Sequence, residues 1–310
     1  MAENFRQAFV LGAGLGTRLQ RLTAACPKPL VPVVNRPLIT YAFDHLLGSG
    51  IERFVVNTHH CAGEYARAFP RGEYRGKAIT FRHEPVLLET AGGIGKVADL
   101  LGGEPFFVYN GDVLTDLPLA PALAHHAASG NEVTLILRSH DGPRQVTLDE
   151  STGRVLDLGG RLHPAIAPGF LFTGLYLVQP EFIRRIPRGQ KLSVIPLFLE
   201  MIRSGAPLGG VVIDEGRWHD LGTREQYLAV HRILHEEGAA GFCSPQASIA
   251  AEAQLLGATA AGAGAEIGPG AILRDCVVWE NARIAPGAML TNCIVTAGQR
   301  VSGTHSDAAF

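Results

Sequence analysis

The stretch Leu11–Leu30, LGAGLGTRLQRLTAACPKPL, crowds three glycines, two arginines and a Pro-Lys-Pro into one segment. It follows the apolar run Ala8–Leu11, so it begins where a buried strand would end. Gly12, Gly14 and Gly16 let a backbone bend sharply or let a ligand approach it, and Arg18 and Lys28 mark that ligand as an anion. A polyphosphate fits the combination. Two familiar phosphate loops do not: no lysine follows Gly16 as GxxxxGK[ST] requires, and glycines at 12, 14 and 16 miss the GxGxxG spacing, with no acidic residue about 20 positions on to meet a ribose.

Outward from this loop, strand-like and helix-like segments alternate. Ala8–Leu11, Arg53–Asn57, Ile79–His83 and Phe106–Tyr109 have the apolar pattern of strands, while Pro37–Ser49, Gly63–Phe69 and Gly93–Leu101 have a helical period. The alternation predicts an α/β domain, a Rossmann-like, mostly parallel sheet with helices on both faces. Ligands of such sheets sit beyond the carboxyl ends of the strands. LGAGLGTR and YNGDVLTD (Tyr109–Asp116) both leave strand ends, so they are expected to converge.

From about Ser244 alanine, glycine and isolated aliphatics take over. IGPGAILRDCVVWENAR (Ile267–Arg283) aligns over IAPGAMLTNCIVTAGQR (Ile284–Arg300) as two 17-residue units, a looser copy starts at Ile249, and Val301 opens a further turn. Aliphatic residues recur about every six positions, at Ile267, Leu273, Val278, Ile284, Leu290, Val295 and Val301. Such periodicity means stacked coils, and the spacing resembles the hexapeptide repeats of short left-handed parallel β-helices. Cys276 and Cys293 should stack inside it. The end, THSDAAF, lacks the pattern and reads as irregular. The predicted domains are therefore residues 1–240 and 241–310.

Composition narrows the partners. A net charge of −2, from 27 basic and 29 acidic residues, gives no electrostatic case for nucleic acid or a membrane surface as the main partner. Five scattered cysteines without a CxxC pair read as reduced thiols. No basic, then apolar, leader opens the chain and no apolar run reaches the roughly 18 residues of a membrane span, so a cytoplasmic protein is expected. No histidine pair has HExxH spacing, and the histidines are left without a ligand role.

The pattern G-x-G-x-G-T-R-L followed by P-K-P-L closely resembles the signature of the sugar-1-phosphate nucleotidyltransferases, the pyrophosphorylases that make nucleotide sugars. LETAGGIGKV (Leu88–Val97), FVYNGDVLTD (Phe107–Asp116) and WHDLGT (Trp218–Thr223) match that family in the same order. The resemblance spans about residues 6–237 and implies the nucleotidyltransferase fold. It also implies an enzyme in which a sugar-1-phosphate oxygen attacks the α-phosphate of a nucleoside triphosphate in line, releasing pyrophosphate. An ionised phosphate needs no base to remove a proton, so catalysis rests on positioning and charge neutralisation.

On this resemblance Arg18, Lys28, Asp112 and Asp220 are the catalytic residues, and Asp112 of N-G-D with Asp220 of W-x-D-x-G-T would hold Mg²⁺. Leu11, Gly12, Ala13, Gly14, Gly16 and Thr17 would line the nucleotide, together with Glu89, Ala91, Gly92, Asn110 and Gly111. Thr173 and Gly174 of FTGLYLV would pass the sugar. The family's E-K-P lysine near position 160 is missing, since LDLGGRLHP stands there, and Lys191 is the candidate to replace it. Arg21, where the family commonly has proline, is given no role, and Asp116 is read as a helix N-cap. The motifs resemble both mannose-1-phosphate guanylyltransferases and N-acetylmuramate-1-phosphate uridylyltransferases, and the β-helix favours the former. A β-helix acyltransferase and a non-catalytic nucleotide-sugar-binding subunit are the readings of other classes. The open β-helix ends imply a homo-oligomer, a dimer first. All four charged candidates precede residue 244, so removing the tail is expected to spare the chemistry.

Overall fold

The four strands expected in the first 110 residues all form, and they are the parallel half of a larger sheet. The structure, a computed structural model that describes residues 5–310, divides into two units: residues up to Leu15 with Ile39–His219, and Gly16–Leu38 with Asp220–Phe310.

The first unit is built on a ten-stranded sheet. Its strands are β1 (Gln7–Leu11), β2 (Arg53–Thr58), β3 (Glu73–Tyr74), β4 (Lys77–His83), β5 (Phe106–Asn110), β6 (Val133–Arg138), β7 (Val146–Asp149), β8 (Arg154–Leu158), β9 (Leu171–Val178) and β10 (Leu208–Val212). They lie in the order β7-β8-β10-β6-β9-β5-β1-β2-β4-β3. β4, β2, β1 and β5 run parallel, as do β6 and β10, whereas β9 is antiparallel to both its neighbours. Helices α1 (Ile39–Gly48), α2 (Gly63–Ala68), α3 (Glu89–Val97), α4 (Ala120–Ser129) and α5 (Val194–Ser204) complete the unit.

Alternation along the strands serves two faces. Phe9, Val55 and Val108 join Ile94 and Val97 of α3 and Val194 and Phe198 of α5 in one buried core. On the other face Phe54 packs on Phe43 of α1, with ring centroids 4.5 Å apart, and Phe5 bridges Phe107 to His126 of α4. The α/β sheet with helices on both faces is thus present, and its mixed half comes from β9 and the hairpin β7–β8.

α3 starts at Glu89, four residues before the expected Gly93. A Cβ at Gly92 would lie 2.5 Å from Gln190 O, and one at Gly93 would lie 2.9 Å from Asn57 Nδ2, so close packing of the helix, not a break in it, demands both.

The second unit carries α6 (Arg224–Glu236), which opens with a reciprocal capping box between Thr223 and Gln226. After it come three stacks of short strands, all parallel, in which Ile267 pairs with Ile284, Leu273 with Leu290 and Val278 with Val295. That is the 17-residue alignment read from the sequence, and it fits the left-handed β-helix. Cys276 and Cys293 are buried one above the other, the Cys293 N–H donating to Cys276 Sγ at 3.5 Å. The end of the chain departs from expectation. Thr304–Ser306 forms a strand on Met289–Thr291, so His305 takes the register of Leu290 in a coil two residues shorter.

α6 lies along one corner of these coils. Asp275, Asn292 and Asp307 take left-handed backbone there (φ 52, 52 and 51°), a conformation Asp and Asn tolerate. Arg224 donates to Asn292 O at 3.2 Å and Arg232 to Asn292 Oδ1 at 2.6 Å. On the inner side of α6, His231 is fully buried, its Nε2 accepting the Val34 N–H at 3.2 Å while Nδ1 bonds Tyr227 O at 2.9 Å. Burial pushes this imidazole down to about 4, against the partial opposing effect of the Tyr227 carbonyl.

An unfolded chain takes up that proton below about 6.5, so between 6.5 and 4 it binds more proton than the folded form. Stability from this residue is complete above pH 6.5 and is lost as the pH falls towards 4, by up to about 3 kcal/mol. Denaturant unfolding across this range should show that slope in the wild type and a flatter one in His231→Gln.

Candidate active site

In the first unit, Leu11 pairs with Asn110, so the glycine loop and N-G-D leave from adjacent strand ends, as the alternation predicts. Gly111 donates its N–H to Leu11 O at 3.1 Å, and a Cβ there would sit 2.7 Å from the same oxygen. Asp112 follows, half-buried. Gly12 is buried: its N–H donates to Asn57 Oδ1 at 2.8 Å and its carbonyl accepts from the Tyr65 hydroxyl at 2.8 Å. Ala13 is buried too, whereas Gly14 is exposed with nothing within 4 Å of an added Cβ, the place in the loop most open to a ligand.

In the second unit the chain continues through Gly16, at φ 61°, where a Cβ would stand 3.0 Å from Lys28 Cβ; only glycine suits both conditions. Thr17 and Arg18 are exposed on the first 3₁₀ turn. Lys28, fixed between Pro27 and Pro29, is only 5% exposed, unusual for a lysine. Both cations converge on Asp220, Lys28 Nζ 3.1 Å from Oδ1 and Arg18 Nη2 3.2 Å from Oδ2. Gly222 completes the arrangement, because a Cβ there would meet the Arg18 guanidinium at 2.6 Å. Three charged groups distant in sequence thus form one cluster, two cations sharing one carboxylate.

The family model described as nucleotidyl transferase matches residues 7–237, a stretch that contains every one of these positions. The chain belongs to the nucleotidyl transferase family. It is 32% identical to a mannose-1-phosphate guanylyltransferase of Mycobacterium tuberculosis, over 90% of this chain and 81% of that protein. It is 31% identical to an N-acetylmuramate alpha-1-phosphate uridylyltransferase of Neisseria meningitidis, over 70% of this chain and 93% of that one. Among solved structures, a UDP-glucose pyrophosphorylase from Acinetobacter baumanii superposes with a TM-score of 0.66 at 17% identity, covering 76% of this chain and 96% of that one, a likeness of fold.

Within this nucleotidyl transferase, the segments around Glu89 and Lys191 in the first unit are tied together by hydrogen bonds. Gly92 donates to Leu192 O at 3.0 Å, Leu192 to Leu88 O at 2.9 Å, and Val194 to Thr90 Oγ1 at 2.7 Å. The pairing sets Lys191 beside Glu89, Nζ to Oε1 at 3.7 Å, both side chains largely exposed. Glu89 opens α3 at φ 61°, a left-handed conformation that strains a side-chain-bearing residue, whereas Ala91 is fully buried. Thr173 is buried with its hydroxyl donating to Ile136 O at 2.8 Å. Gly174, at φ 83° in a bulge of β9, makes room for a neighbour: a Cβ would fall 2.3 Å from Asn110 Nδ2.

Asp116 is not an N-cap. α4 begins at Ala120, and the Asp116 carboxylate accepts the Arg217 backbone N–H at 2.6 Å and its Nε at 2.8 Å. Burial works to raise its pKa, but these Arg217 bonds and the guanidinium charge outweigh it and hold the carboxyl below the usual range.

Three further positions escaped the sequence reading. Asn57 and Glu84, both buried, brace the glycine loop at Gly12: Asn57 Nδ2 donates to Glu84 Oε1 at 2.8 Å and the Leu88 N–H to Glu84 Oε2 at 3.0 Å, so one carboxylate links the glycine loop to the start of α3. Arg138, 1% exposed, donates to the carbonyls of Ile213, Asp214, Glu215 and Gly216 and to Asp141, fixing the loop before Trp218. Trp218 Nε1 then donates to Thr173 O at 2.9 Å. The only signals in the sequence were polar residues at strand ends, Asn57 in VVNT and Arg138 in LILR.

Proposed function

We propose that the chain condenses GTP with mannose-1-phosphate to give a nucleotide sugar and pyrophosphate. Similarity to the mycobacterial guanylyltransferase over 90% of the chain, β-helix included, carries the choice of pair. Within the same reaction class, the Neisseria relative supports a uridylyltransferase as the second reading. Pyrophosphate release from the purified protein with Mg²⁺, each common nucleoside triphosphate and a panel of sugar-1-phosphates tests both. Turnover with GTP and mannose-1-phosphate above every other pair is the expected result, and a UTP-dependent optimum selects the second.

The residues suit a reaction without a protein base. Lys28, buried and rotationally restricted by its prolines, offers a fixed positive charge to the triphosphate, while exposed Arg18 is free to follow the leaving pyrophosphate. Gly14 leaves the backbone open to phosphate oxygens. Asp112 and Asp220 are assigned to the metal. They offer hard oxygen donors from two carboxylates, a set Mg²⁺ accepts. When bound, the ion supplies charge to the α-phosphate. Asp220 also keeps the two cations in register before substrate arrives. Lys191 beside Glu89 is the cation proposed for the sugar phosphate.

A further inference from the structure

We propose that Tyr227 is a positioning residue through which the β-helix sets the Lys28 segment for the triphosphate; this rests on the function proposed above. The segment Pro27–Leu38 is folded by short-range bonds and held from outside. Leu30 donates to Pro27 O, Val31 to Lys28 O and Leu38 to Val31 O, and a two-residue turn at Val34–Asn35 joins Pro32–Val33 to Arg36–Pro37. Val34 has φ 46°, a conformation unfavourable for a β-branched residue, so the turn persists only because its surroundings hold it.

Those surroundings are α6 and the coils. The Tyr227 hydroxyl, on a fully buried side chain, donates to Pro32 O and accepts from Trp279 Nε1 at 3.2 Å. His231 takes the Val34 N–H, and Asn35 Nδ2 reaches the carbonyls of Gly241 and Phe242 at 2.8 Å and Ala261 at 3.0 Å. Arg21 reaches Ala309 O at 3.2 Å. Trp279, Ala261 and Ala309 belong to three different levels of the coil stack. The part of the chain that looks separable in sequence therefore anchors the segment bearing Lys28, and Pro32 is four residues from it. Of these contacts only the tyrosine hydroxyl joins a coil side chain to the backbone next to Lys28 through a single polar atom. A shift of a few tenths of an ångström there is passed on to a buried lysine with no slack.

Tyr227→Phe deletes that atom and keeps the ring. The expected result is a KM for GTP raised about tenfold, with KM for the sugar-1-phosphate and the melting temperature close to wild type. A purely structural loss would lower the active fraction and leave both KM values unchanged. A second readout uses the wild type. The chain has two tryptophans, Trp218 and Trp279, so 5-fluorotryptophan gives two ¹⁹F resonances, assigned with Trp279→Phe. Saturating GTP with Mg²⁺, or UTP if the panel selects it, should shift the Trp279 resonance in the wild type and not in Tyr227→Phe. If Tyr227→Phe does not fold, Trp279→Phe, which removes the indole donor along with part of a buried ring, should raise the same KM by a smaller factor. An unmoved Trp279 resonance in an enzyme that turns over, or a Tyr227→Phe variant with wild-type KM, overturns the proposal and leaves the function standing. A wild type inactive with every pair overturns the function itself.

Discussion

Asp220→Asn lowers kcat on the order of 10³-fold, the largest effect expected of any conservative change in this chain. Asparagine keeps the size of the side chain but removes the negative charge to which Lys28 and Arg18 both donate, at 3.1 and 3.2 Å. Two losses then combine: the metal loses a proposed ligand, and the two cations lose the group that holds them together before substrate binds. Groups acting as one unit give non-additive effects, so adding Arg18→Ala to Asp220→Asn should cost far less than the product of the two single losses. Asp112→Asn should fall in the same direction. Pyrophosphate release with a parallel melting curve checks both, and wild-type turnover in either variant removes that aspartate from the site.

Lys28→Ala comes next, at about 10²-fold or more in kcat/KM, because a fixed cation at a phosphoryl-transfer centre typically contributes that much. Arg18→Ala should resemble it. Arg21→Ala should be nearly silent in turnover, since its exposed guanidinium donates to the Ala309 carbonyl and not to Asp220 among the described residues. Equal losses at Arg18 and Arg21 would mean that the register of the loop has been misassigned. Salt adds a control: the exposed Arg18 contribution is screened by rising ionic strength, the buried Lys28 contribution much less so.

The sequence made the sheet legible where chemistry and period coincide. Val10 and Val56 alternate with Phe9 and Val55 because both faces of their strands are covered, and Ile267 over Ile284 reveals the coil because the 17-residue spacing repeats. The start of α3 was placed at Gly93, four residues late, because the packing of Gly92 on the backbone of Gln190 and of Gly93 on the amide of Asn57 is invisible in the linear order. Asp116 looked like a cap because its partner, Arg217, lies 101 positions away. Partners elsewhere in the chain likewise hid Asn57, Glu84 and Arg138: a buried polar residue announces itself only through partners that the fold supplies. Most consequential is the segment Gly16–Leu38. Its motif pointed to phosphate, but nothing in the linear order shows that it belongs to the unit of the β-helix.

In the proposed reaction this chain joins a nucleoside monophosphate to a sugar-1-phosphate. ³¹P NMR of the purified protein with Mg²⁺, GTP and mannose-1-phosphate tests it most directly, with the other triphosphates and sugar phosphates following in the same tube format. The expected spectrum shows paired doublets of a nucleotide-sugar diphosphate rising in step with pyrophosphate, with the sugar-phosphate signal consumed in equal amount and the product signals lost in Asp220→Asn. Release of a nucleoside diphosphate, which would mean transfer of the γ-phosphoryl group, or no conversion with any pair, would contradict it.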